Sequence, residues 1–252
     1  MKTNLLLTVI FIFTLWGCNN NKAPENQTSK VVCVLFDISE TTNTPEIRKV
    51  YLDKFKSVLK KMHPGDAIEA ALITEKSLSE LELSIECEFP VIESKANTEL
   101  FEKEAGIRSE VMLKLKIDSL LSVADSLLFK PKRKIPFTEI MGSLQVAERV
   151  IKSFPQPKKI VVIFSDMIED SQLYNFNRES LTDKRINKII SIEKGKKLLP
   201  DLKNVKVYIA GAAHPDTDKY NRIRNFWIKY FKETGANLAE HHYGAVLINF
   251  EE

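Results

Sequence analysis

Apolar and polar positions along the chain fall into two recurring patterns. Apolar runs occur at 31–36 (VVCVLF), 159–164 (KIVVIF) and 205–210 (VKVYIA), and the first two are almost wholly apolar, as strands buried on both faces of a sheet are. Further strands are expected at 67–74 and 245–250. The stretch 82–89 alternates instead, with Leu83, Ile85, Cys87 and Phe89 on one face and Glu82, Ser84, Glu86 and Glu88 on the other, which suits an edge strand exposed on one side. Between these runs lie segments of helical period, at 45–62, 138–154, 179–199 and 216–234. In the second, Ile140, Leu144, Ala147, Ile151 and Phe154 form a stripe, and Gly235 offers a stop after the last. This order predicts an α/β fold: a doubly wound, mostly parallel six-stranded sheet with helices on both faces.

One segment exceeds what such a domain needs. Residues 94–134 carry Leu113, Ile117, Leu120, Leu121, Ala124, Leu127 and Leu128 at helical spacing and read as a long amphipathic helix inserted after the edge strand. The basic cluster Lys130, Lys132, Arg133 and Lys134 then returns the chain to the sheet. Packing on the core accounts for the stripe, and solvent contact for the cluster.

The 252 residues are 44% hydrophobic and 28% charged, enough for one compact domain at 31–252 with this insertion. Basic residues number 37 against 34 acidic and are scattered, so they make no electrostatic footprint for nucleic acid. The N-terminus differs in kind. Lys2 precedes an apolar run from Leu5 to Trp16, which fits a signal-peptide core and is too short to span a bilayer comfortably. Leu15-Trp16-Gly17-Cys18 resembles a bacterial lipobox, whose cysteine becomes lipidated and N-terminal. That resemblance implies a signal peptide at 1–17, a lipid on Cys18, a polar tether at 18–30 and a place in the bacterial cell envelope. A soluble secreted protein is the alternative. Export would permit a disulfide between Cys33 and Cys87, although two buried free thiols are the preferred reading.

Candidate chemistry gathers where apolar runs stop. The first ends at Asp37, followed by Ser39 and Thr41; the run at 159–164 ends near Asp166. In doubly wound sheets ligands bind beyond the carboxyl ends of strands, where strand order reverses, so Asp37 and Asp166 meet if their strands flank that point. Thr138 opens a predicted helix and, taken alone, reads as its N-cap.

Asp37-Ile38-Ser39-Glu40-Thr41 resembles the D-x-S-x-S/T motif of von Willebrand factor A (VWA) domains, which forms their metal-ion-dependent adhesion site (MIDAS). Thr138 and Asp166 match the threonine and aspartate that complete that site in the family. The resemblance covers most of residues 31–250, and the insertion at 94–134 departs from it. It implies Ser39, Thr41 and Thr138 as direct metal contacts, Asp37 and Asp166 acting largely through water, and an open position that accepts a carboxylate from a partner protein. Magnesium is the expected ion, with manganese or calcium as alternatives, since a small hard dication takes oxygen ligands and retains water.

Two other readings stay open. A haloacid dehalogenase-like phosphotransferase would use Asp37 as nucleophile, with Ser165-Asp166-Met167-Ile168-Glu169-Asp170 as its later acidic motif. Ser39 then stands where the general acid belongs, and the helix at 45–62 leaves little room for flap elements. A metal-free structural lipoprotein would use Asp37 and Asp166 only to cap loops. The adjacent His241 and His242 would point to opposite faces if extended, which makes them poor co-ligands.

Overall fold

The structure, a computed structural model, describes residues 28–77, 82–94, 98–129, 137–247 and 249–251. The signal-peptide, lipidation and basic-cluster expectations lie outside these residues.

The central strand β1 (Lys30–Asp37) is buried along its whole length. It is paired in parallel with β2 (Ala67–Ile73) on one side and β4 (Lys158–Phe164) on the other. Outward from β2 lies β3 (Glu82–Glu88), antiparallel and at the edge, as its alternation predicted. Beyond β4 come β5 (Lys206–Ala210) and β6 (Tyr243–Gly244), both parallel, giving the order β3-β2-β1-β4-β5-β6. The expected class, a mostly parallel doubly wound α/β sheet, is the one observed. Order reverses between β1 and β4, so the switch point falls where the sequence placed it.

Because side chains alternate along a strand, β1 feeds two cores. Val31, Cys33 and Leu35 face α3 (Ile140–Ser153), α4 (Asp183–Gly195) and α5 (Thr217–Glu233). Val32, Val34 and Phe36 face α1 (Pro45–Leu59) and α2 (Glu99–Phe129). The same alternation separates the cysteines: Cys33 lies in the first core and Cys87 in the second, both as free buried thiols. All seven apolar residues of the insertion's stripe pack into the second core.

Four boundaries differ from the sequence reading. Lys30 belongs to β1 rather than to a solvated leash, because its ammonium is buried against Asp66 (3.1 Å) and the Lys61 carbonyl (2.7 Å). Thr182 caps α4, accepting from the Arg185 N–H at 3.3 Å, so that helix starts later than residue 179. The insertion's helix begins at Glu99, not at 94. The last strand lies at 243–244, not 245–250: Asn249 and Glu251 adopt positive φ (50° and 57°), which an extended strand cannot contain. Phe250 instead turns back onto Tyr208, with ring centroids 5.0 Å apart.

Candidate functional site

Register brings the two aspartates together. Phe36 pairs with Phe164 at the ends of β1 and β4, so Asp37 and the Ser165-Asp166 turn leave the sheet side by side. Asp37 is 1% exposed, and its carboxylate is engaged on both oxygens. Oδ1 accepts from the Ser39 N–H (2.9 Å) and the Thr42 hydroxyl (3.3 Å), and Oδ2 accepts from the Ser165 hydroxyl at 2.7 Å. The Thr42 hydroxyl also reaches the Asp37 carbonyl at 2.9 Å, closing the turn that follows the strand. That turn sets Ser39 Oγ 3.2 Å from Thr41 Oγ1.

Asp166 is less enclosed. Its Oδ1 accepts from the Ile168 N–H at 2.9 Å, and the Thr41 hydroxyl is near enough to pull its pKa down. Burial, then the neighbouring Asp37 carboxylate, raises the Asp166 pKa to about 7, against smaller downward pulls that include Lys219. Burial also raises Asp37, although the Ser165, Ser39 and Thr42 hydrogen bonds oppose it. Two carboxylates are thus held close enough to resist ionising together, a charge arrangement that a cation relieves.

The third loop is tied in by backbone. Thr138 N–H donates to the Asp170 carbonyl (2.7 Å) and Asp170 N–H to the Thr138 carbonyl (3.0 Å), while Glu139 N–H donates to the Thr74 carbonyl (3.2 Å). Thr138 is therefore not the cap of α3. The cap position is Glu139, whose side chain makes no capping bond, and the free N–H groups of Ile140 and Met141 donate to Glu169 Oε2 at 2.8 and 3.0 Å. A carboxylate from the β4 loop thus caps the helix that follows Thr138, a role usually taken by the residue just before the helix. Burial raises the Glu169 pKa to about 8, opposed by those two N–H donors.

Ser39, Thr41 and Thr138 line one cleft of about 350 Å³, with Glu40, Ile168, Asp170 and Asn177 on its walls. Three of the five expected residues therefore line the cleft, while Asp37 and Asp166 stand beside it at the ends of β1 and β4. Sequence reasoning missed Thr42, Ser165 and Glu169. Ser165 and Glu169 did stand in a strand-ending acidic stretch, but nothing local told which neighbour each would serve.

Close packing fixes this end. Met167 has φ 64°, its N–H donates to Ser165 Oγ (2.8 Å), and its carbonyl accepts from the buried Trp227 indole at 2.8 Å. Gly211, at φ +102°, passes beneath: a Cβ there would lie 3.0 Å from both the Ser165 carbonyl and the Tyr51 hydroxyl.

The donor set fits a hard divalent cation: two carboxylates and three hydroxyls, all oxygen. Among the described residues no group of three or more His, Cys, Asp or Glu gathers into an alternative metal cage.

No family model matches the chain, and no curated protein matches it by sequence. Among solved structures it is similar to the SpRpn10 VWA domain, at 9% identity and TM-score 0.38 over 85% of each chain. It is also similar to proximal thread matrix protein 1 of the mussel byssus with a zinc-occupied MIDAS motif, at 10% identity and TM-score 0.41. That match covers 77% of this chain and 39% of the mussel protein, so the chain spans about two fifths of its length. A third, manganese-loaded Plasmodium vivax TRAP protein, matches at 11% identity and TM-score 0.41, over 84% of this chain and 75% of the other. Likenesses this remote leave any function to be carried by the site's own residues.

Proposed function

We propose that this chain is a VWA-like binding domain, tethered through a lipid on Cys18 to a bacterial envelope membrane, that takes a partner protein through a divalent cation. The cation is magnesium, held by Asp37, Ser39, Thr41, Thr138 and Asp166. The observation that carries this reading is the meeting of Asp37 and Asp166 from two separate strands beside three hydroxyls on one open cleft. Two carboxylates pressed together favour a dication over a proton at neutral pH, and hydroxyls complete a hard-ion site without adding negative charge.

When bound, the cation supplies a positive centre that a carboxylate from a partner can reach from the cleft. The chain's own residues do the rest. Asp37 and its three hydrogen-bond donors lock the first loop, and Glu169 and the Thr138–Asp170 bridge lock the other two. Phe137, next to Thr138, is 46% exposed, and Leu173, in the loop after Asp170, is 58% exposed. These are exposed apolar side chains on the chain segments that carry Thr138 and Asp170, and they suit a protein partner better than a small solute.

Binding is favoured over phosphotransfer because Asp37 is 1% exposed and both its oxygens accept hydrogen bonds from its own turn and from Ser165, which holds the carboxylate inside the turn rather than presenting it as an open nucleophile. Ser39 stands two residues on where that chemistry needs an acid, and α1 begins at Pro45, too soon for a flap.

The test is thermal unfolding of the full chain with and without magnesium. A ligand that binds only the folded state raises stability, by about 2.7 kcal/mol at a hundredfold excess over its dissociation constant. The melting temperature is expected to rise with magnesium in the wild type and to be unmoved in Asp166→Ala. Indifference of the wild type to magnesium, manganese and calcium overturns the metal reading in favour of a metal-free structural lipoprotein.

A further inference from the structure

We infer that the partner's docking segment carries a second acidic side chain, which seats in a cationic cleft adjoining the metal site. This rests on the binding function proposed above and names the partner's chemistry more closely.

The second cleft, of about 310 Å³, is built by the loop at 176–181 and the start of α5. It shares Asn177 with the cleft that holds Ser39, Thr41 and Thr138, so the two adjoin at that residue. Lys219 fixes that shared wall: its ammonium donates to the Asn177 carbonyl at 3.3 Å and to Asn177 Oδ1 at 3.0 Å. Its charge is near enough to Asp166 to pull that carboxyl down. Arg178 and Arg222 complete the cationic set on the cleft.

Three acidic residues, Glu179, Asp216 and Asp218, line the same cleft, so the sign of what it offers depends on which charges are already spent. Glu179 is held by Arg185 at 2.6 Å and also accepts from the Asn175 N–H. Asp216 Oδ1 accepts from the Asp218 and Lys219 N–H groups at 2.9 and 3.1 Å, which caps α5. By contrast, Arg178, Lys219 and Arg222 make no contact ion pair among the described residues, although each stands near enough to a carboxyl (Asp170, Asp166 and Asp216 respectively) to pull its pKa down. With Arg185 counted beside Glu179, four cations face three carboxylates, Asp218 included, and the positive end of a 17-residue helix adds to them, so the balance presented to a visitor is cationic.

A segment entering with one carboxylate at the metal therefore meets unpaired cations next door. A neutral segment would leave them to water; an acidic one would engage two guanidinium forks, which suit carboxylates. The pairs sit at a solvent-exposed rim, so they add specificity and a modest gain in affinity, about fivefold for two pairs.

The probe is a set of capped glycine-serine peptides bearing one aspartate, or two aspartates a few neutral residues apart, titrated against the full chain in saturating magnesium. Two-aspartate peptides are expected to bind about fivefold more tightly than the one-aspartate peptide, and Arg178→Ala with Arg222→Ala to abolish that gain while leaving one-aspartate binding unchanged. Both arginines are exposed, so the variant folds; its melting temperature verifies this. Equal binding of the two peptide classes, or a gain that survives in the double variant, overturns the cleft assignment while leaving the metal reading intact. A gain lost in the double variant but indifferent to chelator keeps the cationic cleft and sinks the metal-bridged contact. Absence of binding by every peptide at millimolar concentration counts against both.

Discussion

The Ser165 hydroxyl donates to Asp37 Oδ2 across 2.7 Å, joining residues 128 positions apart at the point where the sheet reverses its order. This one bond orients the first acidic side chain from the neighbouring strand's end. Ser165 also accepts from Met167 N–H, so the Asp37 carboxylate and the turn carrying Asp166 are set by the same side chain.

Ser165→Ala is accordingly expected to weaken magnesium affinity while leaving both aspartates in place. Loss of a buried hydrogen bond to a charged group costs about 1.5–3 kcal/mol. Titration calorimetry of magnesium and chelator-treated melting curves separate the two effects: a variant that melts lower without metal yet binds magnesium as tightly as wild type refutes the positioning role.

Glu169→Ala removes the cap from α3 and leaves two N–H groups buried without an acceptor. A cost of about 2 kcal/mol is expected, together with weaker metal binding, since Thr138 is attached to the same helix start. Glu169→Gln keeps an oxygen acceptor and should recover much of the stability. Urea denaturation of the three proteins reads both outcomes, and equal loss in the two variants would contradict the capping assignment.

The pH dependence of stability is expected to carry the mark of Glu69. This residue lies on β2, 4% exposed, opposite Glu86 of the edge strand, and its pKa is raised to about 7 by burial and then by Glu86. A carboxyl whose folded pKa lies above its unfolded one keeps a proton in the folded state that the unfolded chain releases. Stability therefore falls as pH rises from about 4.5 to 7 and levels off above. Glu69→Gln should gain about 1 kcal/mol at pH 8 and nothing at pH 4.5. A variant with the wild-type slope between those values would show that Glu69 is not the source.

Gly211→Ala is expected to destabilise by about 1–3 kcal/mol, because the position needs a left-handed backbone and its new methyl would press on the Ser165 carbonyl and Tyr51. The methyl pushes against the turn carrying Asp166, so the magnesium-induced rise in melting temperature should shrink as well. An unchanged rise would mean that the turn tolerates the displacement.

The anchor is tested apart from the fold. Cys18→Ala should abolish incorporation of labelled lipid and release the mature protein from membranes; equal labelling in the variant would remove the lipoprotein assignment.

Much of this protein was written locally. The apolar runs that became β1 and β4, the alternation that made β3 an edge, and the stripe that seated α2 are periodic signals, and each is decided by which face of one element must leave water. The five candidate residues were nominated by motif and position: Asp37, Ser39 and Thr41 are neighbours in a stretch that resembles the VWA motif, and Asp166 and Thr138 each stand near an element's end. Tertiary structure alone decided who supports them. That Thr138 is bridged to Asp170 rather than capping a helix, that Glu169 caps α3 from another loop, and that Ser165 and Thr42 hold Asp37 all depend on strand register, and a register is fixed by two cores packing at once. The last strand shows the same limit from the other side. Residues 245–250 have a strand's apolar content, but positive φ at Asn249 and the packing of Phe250 on Tyr208 turn the chain back, because a backbone turn is settled by what it can pack against.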